Sequence, residues 1–132
     1  MNKSIDNNSD KYPVDKLPLI SFLFRASITS AYLYAGLGSL LDPNSWIGFL
    51  PGFMQNSGFG LTALTIFSII EIILSIWIIS GKKAYLSATT SSLIMFFIII
   101  FNLELLDIVF RDIPILFASI GLMIMHKNNN SN

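Results

Sequence analysis

Residues 59–80, FGLTALTIFSIIEIILSIWIIS, form a run of 22 residues with a single charge, Glu71, near its middle. A helix needs about 20 apolar residues to cross the ~30 Å hydrocarbon core of a bilayer, and a soluble core has no use for such a run. The chain is therefore expected to span a membrane with an acid inside the span. Thr65, Ser68, Glu71 and Ser75 recur at helical spacing, which sets the acid in a polar stripe turned away from lipid. Whatever packs on that stripe decides the chemistry available.

Three more apolar blocks follow the same logic. Residues 17–41 are broken only by Arg25, with Pro18 tolerated in a first helical turn. A cleaved signal peptide is the rival reading there, but Arg25 would cut its apolar region short. Residues 84–103 are uncharged, small and hydroxylated at first and bulky later; residues 113–125 are uncharged but only 13 long, short of the hydrocarbon thickness. That last helix needs help, from Arg111, His126 and Lys127 snorkelling to the interfaces or from close packing at Ala118, Ser119 and Gly121, against its neighbours or a second protomer. With 53% hydrophobic and 12% charged residues, the expectation is an all-α integral membrane four-helix bundle, with helices at about 17–41, 59–80, 84–103 and 112–126 in one domain, 17–127. The polar segments 1–16 and 128–132 bury too little apolar surface to order themselves.

The connections carry their own signals. Asp42 and Pro43 look like an N-cap followed by proline at the first helical position, opening a short helix with Trp46, Phe49 and Leu50 that Pro51 and Gly52 break. Residues 42–58 thus read as an interfacial flap between helices one and two. Ser27, Ala31, Ala35 and Ser39 make a small-residue ridge on helix one, with Gly36 and Gly38 beside it. Gly81, Lys82 and Lys83 allow only a tight turn, so helices two and three form an antiparallel pair. Six lysines (3, 11, 16, 82, 83 and 127) fall on one side and Arg111 on the other, which places both termini in the cytoplasm by the positive-inside rule.

The residue inventory narrows the chemistry. Cysteine is absent and His126 is the single histidine, which excludes a thiolate metal site and bis-histidine haem ligation within this chain. Eight basic residues balance eight acidic ones without a basic tract, so there is no footprint for nucleic acid. Arg25 and Glu71 each lie about nine residues from the same side of the membrane, roughly 14 Å deep, so a buried ion pair is expected. Such a pair is either a clamp on helix register or part of a polar cavity with Tyr32, Ser68 and Ser75, in which Glu71 exchanges a proton or Arg25 holds an anionic or carbonyl oxygen. Glu104, Asp107, Arg111 and Asp112 form a second cluster, one charged helical face at the outer interface. It is a solvated cap or a weak cation site, since further oxygen ligands for calcium or magnesium are missing.

The string YLYAGLGSLLDPNSWIGFLP after an intramembrane Arg25, the Glu71 helix closing on SGKKAYL, and LDIVFRDIPILFASIGLMI together resemble the DoxX-like family of small four-helix membrane proteins. The resemblance covers roughly residues 22–125, with Arg25, Gly36, Asp42, Pro43, Glu71, Gly81, Arg111 and Asp112 at family-like positions; members often carry Lys where Ser39 stands. It implies an accessory subunit of a membrane redox system in a bacterial cytoplasmic membrane. A quinone head group would lie near Arg25, Tyr32 and Glu71, and the electron carrier on an oxidoreductase partner. A non-enzymatic scaffold or assembly factor, and a small-solute or proton pathway built by a homo-oligomer, are the alternatives.

The topology makes a direct prediction. With cysteine introduced singly at Asn8, Asn56, Lys82 and Asn130, an impermeant thiol reagent is expected to reach only position 56 in intact cells, and labelling at position 82 would overturn the orientation.

Overall fold

An interior in which small hydroxyls sit among Ile28, Tyr32, Ile78 and Leu122, inside an apolar exterior, is the first property of the structure, a computed structural model that describes residues 16–127. The fully buried side chains include Ser68, Ser75, Ser87, Ser91 and Ser119, whereas Phe22, Ile66, Ile73, Phe96, Phe110 and Phe117 point outward. Water would not leave so much apolar surface outside; lipid permits it, because apolar side chains gain nothing by leaving it and small hydroxyls let helices approach. The expected tails lie outside the described residues, apart from Lys16.

In chain order the elements are α1 (Leu17–Leu41), α2 (Pro43–Trp46), a 3-10 turn (Ile47–Phe49), α3 (Gly52–Gln55), α4 (Gly60–Ser80), α5 (Ala84–Phe101) and α6 (Leu106–His126). The described residues form an all-α bundle, and α1, α4, α5 and the Val109–His126 part of α6 are each long and apolar enough to cross a membrane. α1 packs closely on α4, α5 on α6, and α6 also meets α1. The antiparallel register of α1 and α4 is set by Thr29, whose hydroxyl donates to the Ser75 carbonyl at 3.2 Å, and by the Ser39–Ser68 hydroxyl contact. Between these, Gly36 lets the backbones touch: a Cβ there would stand 2.8 Å from Ile72 Cγ1 and 3.0 Å from the Ser68 carbonyl. The ridge that does the packing is therefore Ile28, Tyr32, Gly36 and Ser39, and Ser27 is exposed. On the other side of the bundle Ser91 and Ser119 join α5 to α6 at 2.7 Å, and Tyr32 of α1 reaches Ser91 at 3.1 Å.

The first two spans fall where the sequence places them, within a residue, and two expectations need correction. The fourth helix is not a short one beginning near 112. It starts at Leu106 and runs for 21 residues, about 31 Å, enough to cross unaided. Its early charges are no obstacle, because Asp112 turns inward, Arg111 lies against aromatic rings, and Pro114 sits inside the helix without ending it. The third helix ends at Phe101, where the Asn102 N–H closes onto the Ile98 and Ile99 carbonyls.

The second correction concerns the α4–α5 hairpin. Gly81 at φ 71° and Lys83 at φ 50° make the expected tight turn, both in the left-handed region that glycine adopts without a side-chain clash. Beyond the turn, however, the two helices part and share little contact. Their closest neighbours are α1 and α6 respectively, and the space left between them opens toward the flap.

The flap itself forms as its cap signals indicate. The Asp42 carboxylate accepts from the Ser45 N–H at 3.4 Å and from its hydroxyl at 2.5 Å, starting α2. Trp46 stacks on Phe49 with ring centroids 4.9 Å apart, and Gly38 leaves room for the indole against α1.

Filling the α1–α4 contact is expected to separate the helices. Gly36→Val should cost about 1–3 kcal/mol by overpacking, read as a lowered midpoint of thermal unfolding in mild detergent, whereas Gly48→Ala, with nothing within 4 Å, should leave it unchanged.

Candidate functional site

The parting of α4 and α5, roofed by the flap, leaves a cavity of about 410 Å³. One wall is apolar and faces the gap between the two helices: Ala63 and Phe67 of α4 with Ile94, Phe97, Ile98 and Phe101 of α5. The other is polar and draws on three long helices. Tyr32 and Ser39 come from α1, Glu71 from α4, and Arg111 and Asp112 from α6, with Asn102 just past the end of α5.

Glu71 stands at mid-span on the buried face of α4, 7% exposed, with its Cβ beside Gly36. Ser68 and Ser75 share that face, as their spacing requires, and their hydroxyls are satisfied by the Leu64 and Ile72 carbonyls. Thr65 does not belong to it. Its side chain is exposed and bonds back to the Leu61 carbonyl, the usual recourse of a hydroxyl facing lipid.

Arg25 does not pair with Glu71. Its guanidinium rests against Gly81 at the far end of α4, and its Nε reaches the Ser21 carbonyl at 3.4 Å. Ten residues of α4 separate that level from Glu71, about 15 Å. The expected match of depths assumed that the two helices begin level, but the Thr29–Ser75 register carries α1 about two turns past the end of α4. Arg25 thus belongs to the turn end of the bundle, and Glu71 has no hydrogen bond or ion pair among the described residues.

The expected outer charged face also divides. Glu104 lies in the turn before α6, and Glu104 and Asp107 are exposed. Arg111 does not pair with Asp107; its Nε meets Asp112 at 3.5 Å, the single ion pair among the described residues. Its guanidinium carbon also sits 5.5 Å from the Phe49 ring and 5.9 Å from Trp46, so the cation is held between a buried carboxylate and the flap. Asp112, 4% exposed, turns into the cavity that Glu71 also lines. Tyr32 and Glu71 of the one expected group and Arg111 and Asp112 of the other thus line a single cavity, while Arg25, Glu104 and Asp107 stand outside it.

Sequence reasoning did not single out Asn102, Ser91 or Ser119 for the site. Asn102 is 4% exposed; its amide nitrogen donates to the Ile98 carbonyl at 2.9 Å, and its Oδ1 is buried with no partner. Its signal was its place as the first strongly polar side chain after an uncharged span. Among the described residues no three His, Asp or Glu side chains come together as metal ligands. Chemically, the cavity offers an apolar body next to carboxyl, amide and phenol groups, the complement of an amphiphile with a compact polar head.

Neither a family model, nor a curated protein, nor a solved structure matches this chain.

Because Arg25 and Glu71 stand apart, their replacements should act independently. Arg25→Leu and Glu71→Leu are expected to add within about 0.5 kcal/mol in thermal unfolding, and a coupling well above that would restore the direct pair.

Proposed function

We propose that this chain is a membrane-embedded binding protein for a lipid-soluble amphiphile, which enters between α4 and α5 and sets its head against Glu71, Tyr32, Asn102 and Asp112. The observation that carries the reading is the cavity of about 410 Å³ that joins an apolar gap between two separated helices to these buried polar groups. A cavity bounded by lipid-facing helices takes its ligand from the bilayer, where a long apolar tail costs nothing to solvate. The polar wall then selects by head group.

A quinone-class ligand in an accessory subunit of a membrane redox system is the form of this reading that the DoxX-like resemblance suggests. Its electron-carrying cofactor would belong to a partner chain, and the likeness itself is part of the proposal. The excess of lysine at the α4–α5 turn and the two termini supports an orientation with both termini in the cytoplasm of a bacterial cell and the flap outside. In that orientation the cavity lies in the outer half of the membrane.

The test is retention of ligand. Protein purified in mild detergent is extracted with organic solvent, and the extract is resolved by mass spectrometry and by the ultraviolet absorbance of quinones. The wild type is expected to carry a lipid-soluble compound that Ala63→Trp, which plugs the gap, does not. Extracts that hold the same lipids in the same amounts from both proteins would overturn the reading and leave a scaffold.

A further inference from the structure

At the end of the bundle that carries Gly81, α1 and the α4–α5 turn form a step. Thr29, Arg25, Phe22 and Pro18 recur at three- and four-residue intervals and make one stripe of α1. Thr29 bonds the Ser75 carbonyl of α4 at 3.2 Å, and one turn on the Arg25 guanidinium lies against Gly81, where α4 has ended. Phe22 and Pro18 carry the stripe past that end and are exposed. Arg25 is half-buried and held in place: its Nε donates to the Ser21 carbonyl at 3.4 Å, while its Nη atoms make no hydrogen bond or ion pair among the described residues. Lys82 and Lys83 are exposed on the turn beside it, and Lys16 and Lys127 belong to the same end. The acids among the described residues, Asp42, Glu71, Glu104, Asp107 and Asp112, all stand at mid-span or at the opposite end. Ahead of Lys16 the sequence holds Lys3 and Lys11 with Asp6, Asp10 and Asp15, too little acid to cancel these basic groups.

A cation at the C-terminus of α4 is favoured by the helix dipole, but that attraction leaves the donors of the guanidinium fork unspent. Trp77, whose indole N–H donates to the Lys82 carbonyl at 2.9 Å, marks the turn as headgroup level. A planar fork with open N–H groups at that level, flanked by lysines, complements a phosphate, and basic pockets between helices take anionic head groups from the leaflet. We propose that the step between α1 and the α4–α5 turn binds the head group of an anionic phospholipid, with the phosphate on Arg25 beside Lys82 and the chains in the surrounding leaflet. The site lies about 15 Å along α4 from Glu71 and does not depend on what the cavity holds.

Lipid titration tests the site. Full-length protein in a neutral detergent is titrated with dioleoyl phosphatidylglycerol and with dioleoyl phosphatidylcholine, and lipid-bound protein is counted by native mass spectrometry. The anionic lipid should bind at least about tenfold more tightly. Equal affinities would reduce Arg25 to a cation on the α4 dipole and overturn the proposal. Glycerol 3-phosphate, a phosphate head without chains, should not displace the lipid even in large excess; displacement would make a soluble anion the occupant and refute the lipid site. In Arg25→Gln the preference should shrink to within about threefold, while Lys16→Gln, which removes the same charge about 14 Å farther along α1, should keep it. Equal loss in both variants would show diffuse attraction to a basic surface, and full preference in Arg25→Gln would remove that side chain from the site; either result refutes the proposal. Should Arg25→Gln fail to fold, Lys82→Gln on the exposed turn takes its place, expected to lower the preference at least about threefold, and an unchanged preference there sinks the site.

Discussion

Close approach of α1 and α4 is the constraint on which the rest of the structure depends. In lipid, apolar surface offers no net drive to bring helices together, so contact must come from backbone proximity and from polar groups that find one another. Gly36 removes the side chain that would hold the helices apart, and the pairs Thr29–Ser75 and Ser39–Ser68 lock the register. Because α1 is drawn so tightly onto α4, it also reaches α6, through Phe24 beside Gly121, and α5, through Tyr32 on Ser91. Beyond the one close backbone approach at Gly36, the interior is joined through hydroxyls, Ser39 to Ser68, Tyr32 to Ser91 and Ser91 to Ser119.

That economy has a geometric by-product. If α4 is committed to α1, and α5 to α6, the hairpin joining α4 to α5 has only its turn to hold it together, and the helices spread away from Gly81. The cavity is what this spreading leaves. Its roof is attached to the opposite pair, because Arg111 of α6 lies under Trp46 and Phe49 of the flap that leads into α4. The same guanidinium neutralises Asp112, so one side chain both fixes the roof and permits a carboxylate inside a membrane protein.

Much of this was legible from hydropathy and caps. The four apolar blocks, the Asp42–Pro43 start of the flap, the Gly81 turn and the inward face of Ser68, Glu71 and Ser75 are local patterns, set by helical periodicity and by backbone positions that tolerate few residue types. Relative depth was not local. Pairing Arg25 with Glu71 required knowing how far α1 slides along α4, which is decided by a glycine and three hydroxyls rather than by where each apolar run begins. The first turns of α6 were hidden for a similar reason. A charged residue marks a helix boundary only if it faces lipid, and Asp112 and Arg111 each find a partner that releases them from that rule. Asn102 escaped notice because an unsatisfied oxygen is a property of three-dimensional surroundings.

The slide of α1 past α4 also sets the shape of the molecule against its bilayer. At the end that carries Gly81, α1 continues about two turns farther, and Ser21 there meets His126 at the close of α6 at 3.3 Å. The α4–α5 hairpin is therefore the short half of the bundle, recessed about 11 Å below the start of α1 and about one turn below the end of α6. Exposed Leu19, Phe22 and Leu23 on the overhang need hydrocarbon around them, while Lys82 and Lys83 on the recessed turn need water. A flat membrane surface cannot give both at full depth: the bundle must tilt or the leaflet thin beside the hairpin, with the lysine stems stretched toward the headgroups. The overhang of α1 thereby ties the fit of the bundle to the thickness of the membrane that holds it.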